Sequence, residues 1–277
     1  MKFGIATFVN DDSIDTVSLA RAIEERGFAS LVIAEHTHIP ASRETPYPAG
    51  GELLAIYYRT LDPFVTLAAA AAVTSSIELF TGIALLIQRD PIITAKEAAS
   101  IDLISNGRFV FGVGAGWNIE ELRHHGTDPK TRGKLLDERI EAIKALWTTE
   151  PAEYHGKFVD FDASYSRPKP VQRPHPPIFI GGDSDATVKR VIRHDAGWIS
   201  NPLPGERLRH RVDQLRQASG RDVPLAMFGT PAKPHYWDTA SELGFGQLAL
   251  RLPTEPRDES LRLLDELAAQ VEAYQGR

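Results

Sequence analysis

The chain has 277 residues, 42% of them hydrophobic and 25% charged, the ordinary balance of a globular protein with enough length for one large α/β barrel. Its formal charge of -6 supplies no global basic field for nucleic acid or an anionic membrane surface, and no apolar run approaches the ~20 residues that cross a bilayer. With no cysteine, disulfides, thiolate nucleophiles, iron–sulfur clusters and cysteine-based zinc sites are excluded, which fits a reducing cytoplasm.

The opening residues, Met1-Lys2-Phe3-Gly4, run straight into an apolar strand pattern from Phe3 to Phe8 and lack the pattern of a signal peptide, so a cytoplasmic location is expected. Helical spacing covers Asp15 to Arg26, with Gly27 as the stop. Leu31-Val32-Ile33 reads as the second strand and ends in Glu35-His36-Thr37-His38. Residues 39–60 have no period and carry several prolines and glycines, the mark of a lid or binding loop. Tyr47, Tyr57 and Tyr58 either wall a substrate pocket or simply pack. Asp62-Pro63 opens a helix as N-cap and first-turn proline. Glu78 to Leu86 is a third strand, interrupted by Gly82, which marks a bulge or a close approach by a ligand. A helix from Pro91 leads to Gly107 and then to a fourth strand, Phe109-Val110-Phe111.

That strand opens into glycines at 112, 114 and 116, followed by Trp117. Position 117 denies it the dinucleotide fingerprint, leaving either a tight turn at a barrel rim or a loop that lets backbone approach a flat ligand. A long helix spans Gly133 to Trp147, a small excursion spans Tyr154 to Phe161, and a proline-rich connector runs from Arg167 to Pro177. The alternation then resumes: strands at 178–180, 197–200, 225–228 and 247–250, each followed by a helix, the last from Arg257 to Tyr274. Eight short apolar strands alternating with helices predict an α/β fold, a (β/α)8 TIM barrel, as a single domain over residues 1–277.

In such a barrel the chemistry sits at the C-terminal ends of the strands. His36, at the end of strand two, is the candidate general acid or base. His36-Thr37-His38 invites a zinc reading, but no later strand end supplies further ligands, so no metal site is assigned and His38 reads as a solvated loop residue. Gly181-Gly182-Asp183-Ser184 precedes a helix and reads either as an anion site or as a helix cap through Asp183 or Ser184.

These motifs, taken in order, resemble the luciferase-like monooxygenase superfamily, and within it the group that uses the deazaflavin coenzyme F420. The resemblance is carried by Glu35-His36, Leu61-Asp62-Pro63-Phe64, Thr81-Gly82-Ile83, residues 103–109, Gly112 to Trp117, and Arg167-Pro168-Lys169-Pro170 followed by Pro177 to Gly182. It implies a barrel with luciferase-like insertions and a non-prolyl cis peptide at Gly82-Ile83 that backs the cofactor ring. It also implies cofactor contacts from Glu35, Gly82, Ile83, Ala115, Gly116, Gly181, Gly182, Asp183 and Ser184, with His36 at the reacting face. A small-molecule substrate and a homodimer follow from the same likeness. Some deazaflavin-dependent members place a catalytic Glu directly after the glycine loop; here that place is Trp117, so any carboxylate role falls to Glu120 or Glu121 or is absent. The alternatives are an FMN-dependent monooxygenase that uses oxygen and a partner flavin reductase, and a barrel that binds flavin or a metabolite without turnover.

Overall fold

The computed structural model describes residues 1–276; Arg277, the last residue of the expected domain, lies outside them. In chain order the elements are β1 (Lys2–Thr7), α1 (Thr16–Glu25), β2 (Ser30–Ile33), α2 (Pro63–Ala71), β3 (Glu78–Thr81), β4 (Ala84–Leu85), α3 (Pro91–Ile104), β5 (Phe109–Gly114), α4 (Ile119–His124), α5 (Arg132–Thr148), β6 (Ala152–His155) and β7 (Asp160–Ser164). They continue as β8 (Ile178–Gly181), α6 (Asp185–Arg193), β9 (Gly197–Ser200), α7 (Gly205–Ser219), β10 (Leu225–Thr230), α8 (Pro234–Glu242), β11 (Gln247–Arg251) and α9 (Arg257–Gln275).

The barrel strands pair in the order β3-β2-β1-β11-β10-β9-β8-β5-β4, and a further β3–β5 pairing closes the ring. All of these pairings are parallel. Nine segments make eight barrel strands because the third is broken: β3 stops at Thr81, the Gly82–Ile83 peptide is cis, and the strand resumes as β4 before a 3-10 turn, Leu86–Gln88. The strand expected over 78–86 is therefore split at Gly82, where a bulge or a close approach is expected. The excursion near 154–161 is an antiparallel hairpin, β6–β7, outside the barrel.

Local chemistry sets the helix starts. Asp62 and Asp90 each precede a proline and cap the helix that follows, Asp62 accepting from the Phe64 and Val65 amides and Asp90 from the Ile93 amide. Asp15 caps α1 in the same way, and Gly27 turns the chain out of that helix at φ +75°.

Two apolar layers result. A large one lies between the strands and the surrounding helices, with Trp147, Trp198 and Trp237 fully buried. A smaller one fills the barrel, formed by Ala6, Val32, Phe80, Val110, Ile199, Ala226 and Ala249. Ala6, Val32, Phe80 and Val110 follow one another directly in register around the ring, so they form one level of that interior. Ile83, Phe179 and Phe228 pack on this inner layer while keeping exposed surface. Among the described residues no helix is long and apolar enough to cross a membrane.

Candidate active site

The broken third strand shapes the floor of the site. A Cβ at Gly82 would lie 2.3 Å from Val32 Cγ1 and 2.9 Å from Phe228 Cδ2, so only glycine fits beneath that phenylalanine. The Ile83 side chain occupies the space that side chains at 114 and 181 would need, since a Cβ at Gly114 would sit 2.0 Å from Ile83 Cδ1 and one at Gly181 2.9 Å from Ile83 Cγ2. Three of the glycines singled out in the sequence thus serve one arrangement: they let Gly82–Ile83 lie flat across the end of the barrel.

Glu35 and His36 follow β2, and their side chains find different partners. Glu35 is 3% exposed, and its carboxylate accepts from the Leu85 amide (2.6 Å) and from Arg89 Nε (2.7 Å). Burial pushes the Glu35 carboxyl up, and Arg89 opposes that shift. Glu35, expected as a cofactor contact, ties β2 to the segment after the strand break. Arg89 also pairs with Asp62 and Glu97 and lies 4.4 Å over the Phe64 ring.

His36 is 8% exposed and meets Glu121, with Nδ1 2.8 Å from Glu121 Oε2. The other carboxylate oxygen, Oε1, accepts from the Thr37 amide at 3.2 Å. Glu121 sits on α4, a six-residue helix capped by Asn118 and reached through Gly116, whose φ is +65°. A carboxylate can only accept, so His36 Nδ1 carries the hydrogen, and Nε2 is left as the nitrogen that takes or gives a proton. The two residues are 85 apart in sequence. The sequence offered Glu120 and Glu121 as alternatives, and the structure gives each a task. Glu121 meets the histidine, while Glu120 accepts from the Thr45 amide (2.7 Å) and the Thr45 hydroxyl. Burial opposes the effect, but these bonds hold the Glu120 carboxyl below its ordinary value. Thr45 belongs to the 39–60 loop, so Glu120 fastens that loop to α4.

The fastened loop builds an aromatic wall beside His36. The Tyr57 ring is 5.2 Å and the Trp117 ring 5.6 Å from the imidazole, and the Tyr47 and Tyr57 hydroxyls are 3.2 Å apart. Tyr47, Tyr57 and Trp117 line a cavity of about 640 Å³ at the C-terminal mouth of the barrel, a volume typical of small-molecule sites. Tyr58 is half exposed and lies outside this lining. A cavity of about 720 Å³ at the opposite end, beside Lys2 and Pro224, is remote from the strand termini where barrel chemistry is built.

The other expected contacts lie at the rim. Ile83, Ala115, Gly116, Gly181 and Gly182 keep exposed surface without lining the cavity. Asp183 is held by Arg207 and Arg211. Ser184 caps α6 by accepting from the Thr187 amide, which is the capping alternative read from the sequence. His38 stacks on His124, with Nε2 2.9 Å from His124 Nδ1, and no group of three or more metal-ligating side chains occurs among the described residues.

The mouth fits a flat cofactor. A Cβ at cavity-lining Gly229, where φ is +67°, would project into open space. Ser200 Oγ and Asn118 Nδ2 are buried without a protein partner. A closed parallel barrel with an aromatic-walled cavity at its mouth and a buried histidine–carboxylate pair beside it defines a class: a barrel with a small-molecule site at its strand ends. The family is narrower. The chain belongs to the luciferase-like monooxygenase family, which it matches over residues 1–272. A Mycobacterium tuberculosis protein is 39% identical over 283 residues, covering 98% of this chain and 99% of its own. The FMNH2-dependent dimethylsulfone monooxygenase of Pseudomonas putida is 32% identical over 155 residues, 55% of this chain and 43% of its own. The coenzyme F420-dependent tetrahydromethanopterin reductase of Methanopyrus kandleri shares the fold, with TM-score 0.74, 17% identity and 97% of each chain covered. Members of this family are oxidoreductases and monooxygenases that work with flavin-type cofactors.

Proposed function

We propose that the chain is an oxidoreductase that uses deazaflavin coenzyme F420 for hydride transfer to or from a small organic substrate, with His36 moving the accompanying proton at Nε2. The observation that carries this reading is the buried pair of His36 Nδ1 with Glu121 Oε2 at 2.8 Å, set behind the aromatic wall of the mouth. When bound, the cofactor supplies hydride donation or acceptance at its ring. Ile83 would back that ring, Ala115, Gly116, Gly181 and Gly182 would border it, and Tyr57 and Trp117 would exclude water from His36. Glu35 and Asp183 would act indirectly, through the segments they hold. Titration of the protein with F420 and, separately, with FMN tests the cofactor: micromolar binding of F420 is expected, and retention of FMN with none of F420 would overturn the order. His36→Ala should still bind cofactor but lose turnover, whereas a parent without turnover on any substrate would favour a binding barrel.

A second reading, an FMN-dependent monooxygenase supplied by a separate reductase, is favoured by the Pseudomonas putida relative. A cytoplasmic homodimer completes the proposal. Its support is the apolar surface along α2 and α3, where Val65 is 71%, Ile93 60% and Ile104 55% exposed. Val65→Glu with Ile93→Glu should convert a dimer to a monomer on analytical ultracentrifugation.

A further inference from the structure

The mouth cavity carries one charged side chain. Of its lining residues only Arg251 bears a charge; the rest are apolar, aromatic, prolyl or neutral hydrogen-bonding groups. Arg251 ends β11, opposite Ala6 of β1. The neighbouring backbone is pinned, with the Leu252 amide donating to Ala6 O (3.0 Å) and Thr7 Oγ1 donating to Leu252 O (3.0 Å). The arginine is thus rooted on the barrel itself rather than on a mobile loop. Its side chain has no ion pair or hydrogen bond among the described residues, although the chain carries 37 acidic residues. Two other arginines near the strand ends have carboxylates: Arg89 has Glu35, Asp62 and Glu97, and Arg211 has Asp183 and Asp185. The same cavity is lined by apolar Leu54, Ile56, Trp117 and Phe228, and the Tyr47–Tyr57 hydroxyls add neutral polar groups. A guanidinium without a carboxylate, in a cavity whose other lining groups are neutral, suits a ligand with one anionic group on an apolar body.

We propose that Arg251 binds the anionic group, a carboxylate or its equivalent, of an otherwise apolar substrate. This deepens the oxidoreductase reading and rests on it for the word substrate. The same chemistry could come from the phosphate of a cofactor, so the test separates the two sources. The probe is 4-phenylbutanoate against 4-phenylbutanamide, followed by tryptophan fluorescence. Trp147, Trp198 and Trp237 are buried within the fold, and Trp117 lines the cavity, so quenching that Trp117→Phe abolishes reports this site. The acid should bind saturably and the amide about 10- to 150-fold more weakly, the range for a hydrogen bond to a charged group. Arg251→Gln should weaken the acid by a similar factor and leave the amide unchanged. Arg251 is exposed, so the variant should melt with the parent. Equal binding of acid and amide, no saturable binding of the acid, or no effect of Arg251→Gln overturns the proposal. In the second arm, FMN is compared with riboflavin, and F420 with its fragment lacking the phosphate-bearing tail, on parent and variant. A loss confined to the phosphate-bearing forms assigns the anion to the cofactor and overturns the substrate assignment. Unchanged ratios, including no FMN binding by either protein, keep it with the substrate. Probe binding is scored without cofactor or turnover, so failure of the redox reading would appear in the cofactor titrations alone.

Discussion

Replacing Glu121 by glutamine isolates the role of the carboxylate with little change in size. Glu121 serves three donors on two oxygens: His36 Nδ1 on Oε2 (2.8 Å), and the Thr37 amide (3.2 Å) and hydroxyl (3.5 Å) on Oε1. Glutamine has one acceptor oxygen and one NH2 group. The amide can turn either way. If the oxygen faces Thr37, the NH2 group faces His36, Nδ1 must accept, and the hydrogen moves to Nε2. If the oxygen faces His36, the Thr37 amide is stranded. The first outcome leaves every group bonded and the second frees only the amide of exposed Thr37, so the cost is that of one hydrogen bond at most, about 1 kcal/mol. At roughly 2–4 °C per kcal/mol, the melting temperature should fall by no more than about 4 °C. The decisive assay needs no substrate. In 15N-histidine-labelled protein, the ring signals of His36, assigned by their loss in His36→Gln, should show Nδ1 protonated and Nε2 free in the neutral parent. Glu121→Gln should give the Nε2-protonated form, or a mixture. Once a substrate is found, loss of the charge-assisted bond, worth roughly 1.5–3 kcal/mol, should slow turnover by about 10- to 150-fold. A parent His36 with its hydrogen on Nε2, or a variant with unchanged ring signals, would refute the reasoning.

Arg89→Met should destabilise by about 3–5 kcal/mol at pH 7 because it strands the buried Glu35 carboxylate, as read by denaturant unfolding. The folded Glu35 carboxyl is already raised by burial, so the native state holds its proton more tightly than the unfolded chain; the deficit should shrink as pH falls toward the ordinary carboxyl value of 4.5. Gly82→Ala forces a methyl against Val32 and Phe228 and should cost about 1–3 kcal/mol of overpacking by the same measurement, together with a changed Trp117 emission if Phe228 is displaced into the cavity. The Glu120–Thr45 fastening has the opposite pH sense to Glu35. The folded Glu120 carboxyl is depressed, so its contribution is complete above the ordinary value of 4.5 and disappears as pH falls through the lower folded value. Limited proteolysis within residues 39–60 should therefore rise in the parent only as pH falls below the ordinary carboxyl value of 4.5, and already at neutral pH in Thr45→Ala; equal cleavage of the two at pH 7 would count against the fastening.

The alternation of apolar strands with capped helices was readable because it depends on neighbours in sequence. Asp62-Pro63 and the proline at 91 announce helix starts through bonds spanning two or three residues. Gly82 announced its break for an equally local reason, since a glycine inside an apolar strand has little to contribute except space. The sequence also placed His36 at a strand end, which the barrel rule converts into a site. Pairings across the barrel were not readable. Glu35 reads as a ligand contact until Arg89, 54 residues away, takes its carboxylate, and Glu120 and Glu121 are indistinguishable until α4 forms and sends one toward Thr45 and the other toward His36. The sequence also passed over Arg251, although Gln247-Leu-Ala-Leu-Arg251 ends an otherwise neutral strand with a charge.

Local patterns therefore locate this mouth, while the distribution of charge partners decides what each group in it can do. A carboxylate with an arginine, such as Glu35, is committed to holding the fold. A carboxylate with a histidine, such as Glu121, fixes which nitrogen is free for proton transfer. An arginine without a carboxylate, such as Arg251, keeps its capacity for an anion that the protein does not supply. The three side chains follow from one comparison, each ionisable group against the partners within reach, and that comparison separates structural ion pairs from groups left free for chemistry.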